Sequence, residues 1–214
     1  MPFQNRADAA ERLAQRLLEF KGKNPLVLAI PRGGVPIAAE LAKRLEGDLD
    51  IVLVHKLGAP GHEEYAIGGV DERGQVTLNP SIAREELPPT YLQAEVVRQV
   101  ARLKHKRKLL SGDRPPLDPF GRIVLLVDDG IATGSTMVTA LKVLRDLGAQ
   151  LLVAVAPVAP PDAISKLQAL ANRIVVLESP DNFLSVGQFY EDFSQVADEE
   201  VLASLRAFSP KTTQ

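Results

Sequence analysis

The chain has 214 residues, a formal net charge of −2 and no cysteine, which allows one α/β domain with a sizeable core and excludes disulfides, thiolate nucleophiles and cysteine-based zinc sites. The near-neutral charge gives no general attraction to nucleic acid or to a membrane surface. No apolar run approaches a membrane span and the charged N-terminal region does not resemble a secretory signal, so we expect a cytoplasmic protein with no membrane partner.

Apolar runs and helical periodicity alternate along the chain. The N-terminal residues 7–20 predict an amphipathic helix, whose role we expect to be packing. This alternation is typical of an α/β fold with a mostly parallel sheet flanked by helices, and we see no interdomain linker. The predicted strands are 26–30, 51–57, 123–127, 151–157 and 173–177, and the later helices are 35–45, 90–110, 135–147 and 161–170.

The first predicted strand runs directly into Pro31, Arg32, Gly33 and Gly34. Adjacent glycines let the backbone approach a ligand closely, and the Arg32 guanidinium presents donors suited to phosphate oxygens. Taken alone, this pattern favours an ordinary turn with an exposed arginine. Beside the phosphate-binding pattern further along the chain, a binding loop becomes the favoured interpretation.

The glycine-rich segment 58–74 is too long for an ordinary connection in a compact domain, so we expect a functional, mobile loop. Its end could form a hairpin around a turn at 71–74. Glu63 and Glu64 are candidate acid or base groups, although exposed loop glutamates are more often only solvated. Lys56 follows the predicted second strand and could reach a pyrophosphate group.

Helix 90–110 carries a run of basic residues. A solvated helix face is the favoured interpretation, while RNA contact stays open because basic patches bind phosphates without sequence preference. The apolar positions of this helix could instead meet another subunit, and we expect an oligomer of identical chains. The basic residues are Arg98, Arg102, Lys104, Lys106, Arg107 and Lys108.

Residues 124–136, VLLVDDGIATGST, join an apolar strand, two acids and a loop that opens a helix. Asp128 and Asp129 stand at the carboxyl end of the predicted strand, where open α/β sheets bind ligands. Residues 133–136 would present N–H groups and hydroxyls at a helix N-terminus, which suits a phosphate dianion. The segment is not a nucleotide P-loop, because no lysine follows the glycine and the acids precede the loop.

This segment resembles the ribose-phosphate signature of the type I phosphoribosyltransferases, which is an apolar run, two acids, a small or apolar pair, then x-T-G-x-T. With the other motifs, the resemblance covers about residues 26–193. It implies that the acidic pair accepts hydrogen bonds from the ribose hydroxyls of phosphoribosyl pyrophosphate, while the loop holds the 5′-phosphate. The implied binding residues here are Asp128, Asp129, Gly130, Ala132, Thr133, Gly134, Ser135 and Thr136.

The resemblance implies further parts of the site. Mg²⁺ would lie across the ribose hydroxyls and the pyrophosphate, with Asp128 and Asp129 as ligands through water. In the family the first loop binds pyrophosphate and often carries a non-proline cis peptide, so Arg32, Gly33 and Gly34 are expected to bind the substrate, with Lys56 as a further candidate. Arg32 and the acidic pair are the expected catalytic residues. Segment 58–74 corresponds to the loop that closes over the sugar.

Aromatic residues concentrate between residues 183 and 195. Such a cluster can stack a nucleobase, and core packing explains it equally well. The segment resembles the lid subdomain of purine phosphoribosyltransferases, in which Tyr190 would bind the substrate. We therefore expect one domain over residues 1–214, with a core at about 26–177 and a small lid at about 178–197.

One departure leaves the acceptor open. Members acting on 6-oxopurines commonly have an aspartate immediately before the T-G pair, where this chain has Ala132. The resemblance implies transfer of ribosyl 5-phosphate to a nitrogen acceptor, a nucleobase, with release of pyrophosphate, as in purine salvage. The alternative is a non-catalytic sensor of phosphoribosyl pyrophosphate that binds RNA or a protein partner. A hydrolase or phosphatase is disfavoured because no metal cluster or activated nucleophile is visible.

Overall fold

The computed structural model of the chain describes residues 2–78 and 88–208, apart from the side chains of residues 63–66 and 89. The strands are β1 Leu26–Ala29, β2 Asp48–Ile51, β3 Val54–Ala59, β4 His62–Asp71, β5 Val76–Leu78, β6 Ile123–Val127, β7 Leu151–Val158 and β8 Arg173–Glu178. The helices are α1 Arg6–Arg16, α2 Gly34–Leu45, α3 Pro89–Ser111, α4 Ser135–Asp146, α5 Pro161–Leu167 and α6 Asp198–Ala207, with short 3-10 segments at Leu18–Phe20 and Val186–Phe189.

Five strands form a parallel sheet in the order β2-β1-β6-β7-β8. Ala29 pairs with Val127 and Val127 with Val155, so β1, β6 and β7 run in register toward one edge. The strand after β1 lies on one side and the strand after β6 on the other, so the order reverses between β1 and β6. Open α/β sheets bind ligands at such a reversal. The predicted fold class is confirmed.

Alternate side chains of the central strand pack on opposite faces of the sheet. Leu125 and Val127 belong to a buried cluster with α1 and α2, whereas Val124 and Leu126 belong to a second cluster with α4 and α5. Both faces are therefore covered by helices, as the alternation of strands and helices predicts. In the part of the chain that the structure describes, no helix is long and apolar enough to cross a membrane.

The glycine-rich segment forms strands, which corrects the expectation of a long irregular loop. β3, β4 and β5 make a second, antiparallel sheet, and the predicted strand 51–57 is divided between β2 and β3. The hairpin predicted at the end of the segment is confirmed, since Val70 pairs with Val76. A Cβ on Gly69 would lie 2.2 Å from Thr139 Cγ2. Glycine here permits close packing rather than loop freedom.

Two helices near the chain ends also differ from expectation. The predicted helix 7–20 ends at Arg16 and continues as a short 3-10 segment. Helix α6 was not expected at all, because the aromatic segment before it ends the recognisable pattern. It packs against α2 and α3, with Val201 and Leu205 fully buried. The end of the described chain therefore returns to the core.

A buried ion network joins the two sheets through α3. Arg107 Nη1 donates to Asp50 Oδ1 at 2.6 Å, and its Nε donates to Glu72 Oε2 at 2.7 Å. Its Nη2 also donates to the carbonyl of Ile51 at 2.8 Å. Asp50 lies in β2 and Glu72 directly follows β4. One member of the basic run in α3 is therefore structural.

We expect Arg107→Met to destabilise the fold strongly, because Asp50 and Glu72 would stay buried without their counter-charge. The loss should be about 3–5 kcal/mol of unfolding free energy, measured by urea denaturation. The control is Lys108→Met, since the exposed Lys108 amine lies 3.7 Å from Asp113. That variant should change stability by less than about 1 kcal/mol. Equal losses in the two variants would contradict a structural role for the network.

Candidate active site

The ends of β1 and β6 bring two loops into direct contact. Ile30 N donates to the carbonyl of Val127 at 2.8 Å, so the strand pairing continues to the loop. A Cβ on Gly33 would lie 1.9 Å from Asp129 Oδ2, and one on Gly34 would lie 2.6 Å from the Val127 carbonyl oxygen. Both glycines are needed for this approach, and they place the first loop against the acidic pair.

Arg32 lies in the first loop, where the Pro31–Arg32 peptide is cis, as the family resemblance implies. Its Nη1 lies 3.4 Å from Asp198 Oδ1 in the first turn of α6. Burial and the nearby Arg32 guanidinium lower the pKa of Lys106 on α3. The sequence indicates Lys106 only as part of a basic helix face, whereas in the folded chain the charges of Arg32 and Asp198 both act on it.

Asp128 is held by backbone groups at the end of β6. Its N–H donates to the Val155 carbonyl at 3.1 Å, and its Oδ1 accepts from the Asp129 N–H at 2.9 Å. Burial, followed by the neighbouring charge of Asp129, raises the pKa of Asp128 well above its ordinary value. Carboxyls with strongly raised pKa values concentrate at functional sites.

The loop after the acidic pair has the geometry expected of a phosphate site. Ala132, Thr133, Ser135 and Thr136 are exposed, and α4 begins at Ser135. Gly134 has a φ of 77°, which favours glycine, and it allows the chain to turn into the helix. The predicted hydroxyls are thus available to a ligand at a helix N-terminus.

A cavity of about 750 Å³ adjoins this loop. Lys56 of β3 lines it together with Thr133, Ser135 and Lys166, so Lys56 lies beside the phosphate loop. Lys166 Nζ donates to the Thr133 carbonyl at 3.1 Å. Lys166 was not among the predicted site residues, since α5 has no motif that marks it.

An arginine from the N-terminal helix reaches the acidic pair, which corrects the expectation that this helix only packs. Arg6 Nε and Nη2 donate to Asp129 Oδ2 at 2.9 and 2.7 Å. Its Nη1 donates to the Ser194 carbonyl at 2.8 Å. Arg6 and Asp129 are 123 positions apart, so no local sequence pattern could have joined them.

Comparison with known proteins agrees with this geometry. The model of the phosphoribosyl transferase domain matches residues 3–194. The chain belongs to this family. A Mycobacterium tuberculosis protein provisionally named a phosphoribosyl transferase is 40% identical over 204 residues, which are 95% of this chain and 46% of that protein. The chain thus spans about half the length of this relative.

Two further relatives have been found. The ribose-phosphate pyrophosphokinase of Methanopyrus kandleri is 33% identical over 142 residues, covering 56% of this chain and 48% of that protein. The crystal structure of TT1426 from Thermus thermophilus superposes with a TM-score of 0.87 and 42% identity, covering 98% of this chain and 100% of that one. The whole described fold is therefore shared with a solved structure.

The segment 178–197, which the sequence predicts to be a lid and which keeps that name below, contacts the acidic pair through Tyr190. The Tyr190 hydroxyl donates to the Asp129 carbonyl at 2.6 Å, and burial raises its pKa. The residue is 7% exposed, and its ring lies 5.3 Å from the Phe3 ring and 4.9 Å from the Phe193 ring, centroid to centroid. The ring is packed rather than open to a base, so Tyr190 supports Asp129 instead of offering a stacking surface.

The acidic pair offers oxygen ligands that fit Mg²⁺. The two hydrogen bonds from Arg6 both end on Asp129 Oδ2, and the charge of Asp129 raises the pKa of Asp128. A divalent cation would relieve this repulsion, and Mg²⁺ that keeps several waters needs only one or two carboxylates. No group of three or more acidic or histidine side chains in the described ranges, this site included, could hold a metal.

Gly33→Ala tests the contact between the two loops. The φ of Gly33 is −59°, so the backbone accepts alanine, but the new methyl group would displace the Asp129 carboxylate. We expect affinity for phosphoribosyl pyrophosphate with Mg²⁺ to fall by roughly tenfold or more in a calorimetric titration. The control is Gly22→Ala. The φ of Gly22 is 73°, so alanine is strained there, but no atom lies within 4 Å of the added Cβ. It should lower stability without changing affinity, and a Gly33→Ala protein with unchanged affinity would refute the assignment.

Proposed function

We propose that this protein is a magnesium-dependent phosphoribosyltransferase that moves ribosyl 5-phosphate from phosphoribosyl pyrophosphate to a nitrogen acceptor, a nucleobase. The observation that carries the proposal is the meeting of three binding elements at the reversal between β1 and β6. These are the Arg32 loop, the acidic pair Asp128 and Asp129, and the loop 133–136. A cytoplasmic location and assembly with identical chains accompany the proposal as expectations from the sequence.

Each element matches one part of the donor. The ribose hydroxyls would donate to Asp128 and Asp129, and the 5′-phosphate would accept from the exposed loop at the α4 N-terminus. Arg32, with Lys106 nearby, supplies positive charge for the pyrophosphate. The Methanopyrus kandleri relative is named for ribose phosphate and a pyrophospho group, the same two chemical parts.

In the proposed reaction the bond from the anomeric carbon to pyrophosphate breaks, and a bond to the acceptor nitrogen forms. Positive charge develops on the sugar beside the two carboxylates, and negative charge develops on the pyrophosphate beside Arg32. Bound Mg²⁺ would neutralise charge on the leaving pyrophosphate. The acceptor nitrogen passes its proton to solvent water or to an oxygen of the departing pyrophosphate, since Ala132 offers no group to take it. The protein would therefore act mainly through positioning and electrostatic stabilisation.

Replacing both acids tests the ribose site. We expect the double variant Asp128→Asn with Asp129→Asn to fold, to lose turnover and to bind phosphoribosyl pyrophosphate at least about tenfold more weakly, because charged acceptors are lost. Calorimetric titration with Mg²⁺ present measures the affinity. Asp113→Asn is the control, since its side chain is 93% exposed. Unchanged affinity in the double variant would place the ribose elsewhere.

An acceptor panel tests turnover itself. The protein is incubated with phosphoribosyl pyrophosphate, Mg²⁺ and purines, pyrimidines or related nitrogen compounds, and pyrophosphate release is followed. We expect release only with the true acceptor, with adenine-like and guanine-like bases tested first. If the ligand binds tightly but no acceptor in a broad panel yields product, the sensor function is favoured. RNA binding that weakens with salt would then identify its partner class.

A further inference from the structure

Arg6 is built into the candidate site more firmly than a surface arginine would be. Its side chain is 13% exposed and that of Asp129 is 14% exposed. The Arg6 guanidinium carbon lies 4.2 Å from the centroid of the Phe193 ring, and Nη1 donates to the Ser194 carbonyl. All three guanidinium nitrogens therefore have defined partners, two on Asp129 and one on the lid.

The segment that precedes Arg6 is itself paired with the lid. Phe3 N donates to the Phe189 carbonyl at 2.7 Å, and Glu191 N donates to the Phe3 carbonyl at 2.8 Å. Asp192 N donates to the Gln4 carbonyl at 3.0 Å. The N-terminal segment and the lid thus form one unit, and Arg6 connects this unit to the acidic pair.

The two hydrogen bonds that Arg6 donates to Asp129 distinguish the two carboxylate oxygens. Both donate to Oδ2, the oxygen nearest to the Cβ position of Gly33, and neither reaches Oδ1. A carboxylate held in this way cannot rotate without breaking two charge-assisted hydrogen bonds. Its second oxygen therefore keeps a fixed direction from the end of β6.

We propose that Arg6 is a positioning residue of the ribose site, which fixes Asp129 through Oδ2 so that Oδ1 can accept a ribose hydroxyl. This inference rests on the proposed function, because it assigns a role in binding the ribosyl donor. The hydrogen bonds of Arg6 in the described structure go to Asp129 and Ser194, and none goes to the first loop, whose cation is Arg32. Its effect should accordingly be confined to ligands that carry the ribose hydroxyls.

Three probes separate this role from a general effect on the fold. Phosphoribosyl pyrophosphate and ribose 5-phosphate carry the hydroxyls, whereas inorganic pyrophosphate does not. We expect Arg6→Ala to weaken binding of the first two by roughly tenfold, because a fixed charged acceptor becomes mobile. Affinity for inorganic pyrophosphate should change less than about twofold, which is within ordinary variation for a distant change. Calorimetric titration measures all three with Mg²⁺ present, and again without the metal because Asp129 is also an expected Mg²⁺ ligand.

Two further variants complete the design. Arg6→Lys keeps the charge but lacks the fork that donates twice to one oxygen, so it should fall between wild type and Arg6→Ala. If Arg6→Ala does not fold, Arg6→Lys is compared with the wild-type protein instead. Arg12→Ala is the matched control on the same helix, since Arg12 pairs with Asp8 and lies 5.2 Å from the Phe3 ring without touching Asp129. It should leave all three affinities unchanged.

The outcomes distinguish the two proposals. Selective loss of the ribose-bearing probes in the Arg6 variants supports the positioning role. Equal loss of all three probes, or no loss of any, overturns it while the proposed function stands on the wild-type affinities. If wild-type protein binds none of the three probes, the proposed function fails and the positioning role fails with it.

Discussion

The pairing of β1 with β6 is the constraint on which the rest of the site depends. It aligns two strand ends in register, so that the Arg32 loop and the acidic pair start from the same edge of the sheet. The loops then approach closely enough that Gly33 has no room for a side chain beside Asp129. Cations and carboxylates on separate loops can therefore act on one ligand without any covalent or metal link between the loops.

Residues near the two ends of the described chain contact the charged side chains that follow the central strands. Arg6 at the start of α1 binds Asp129, and Asp198 at the start of α6 lies beside Arg32. Asp129 and Arg32, one from each loop, thus each have a protein counter-charge from a terminal helix. Because these helices pack on the core through α2 and α3, the charges of the site are coupled to the outer layer of the fold.

Features that depend on neighbouring residues in the sequence could be predicted. The strand Ile123–Val127 has the predicted bounds, because an apolar run between polar residues defines a buried strand and the acids mark its end. The two loops at the sheet edge follow from their strands for the same reason. The first part of the glycine-rich segment was expected to be a loop, but Gly58 lies in β3 and β4 begins at His62, because glycine in a strand has the same appearance in the sequence as glycine in a loop.

What the sequence could not supply are contacts between distant segments. Arg6 is one of many charged residues in an amphipathic helix, and only the three-dimensional fold shows that it meets Asp129 and the lid. The same holds for Lys106, which belongs to a basic helix face yet lies near Arg32. Tyr190 illustrates the converse, since its motif predicts a position near the site but not that its ring is covered by Phe3 and Phe193.

The two counter-charges differ in how easily a ligand can replace them. The Arg32–Asp198 pair spans 3.4 Å with side chains 40% and 47% exposed, and such exposed pairs contribute about 0–1 kcal/mol. The Arg6–Asp129 pair is shorter, at 2.7 Å, and mostly buried, and breaking a buried pair typically costs about 3–5 kcal/mol. In the proposed function, a pyrophosphate group would therefore displace Asp198 from Arg32 at little cost. Arg6 should instead stay paired with Asp129 when the ligand binds. Arg6 would then be part of the ligand-bound site and would not have to leave before binding.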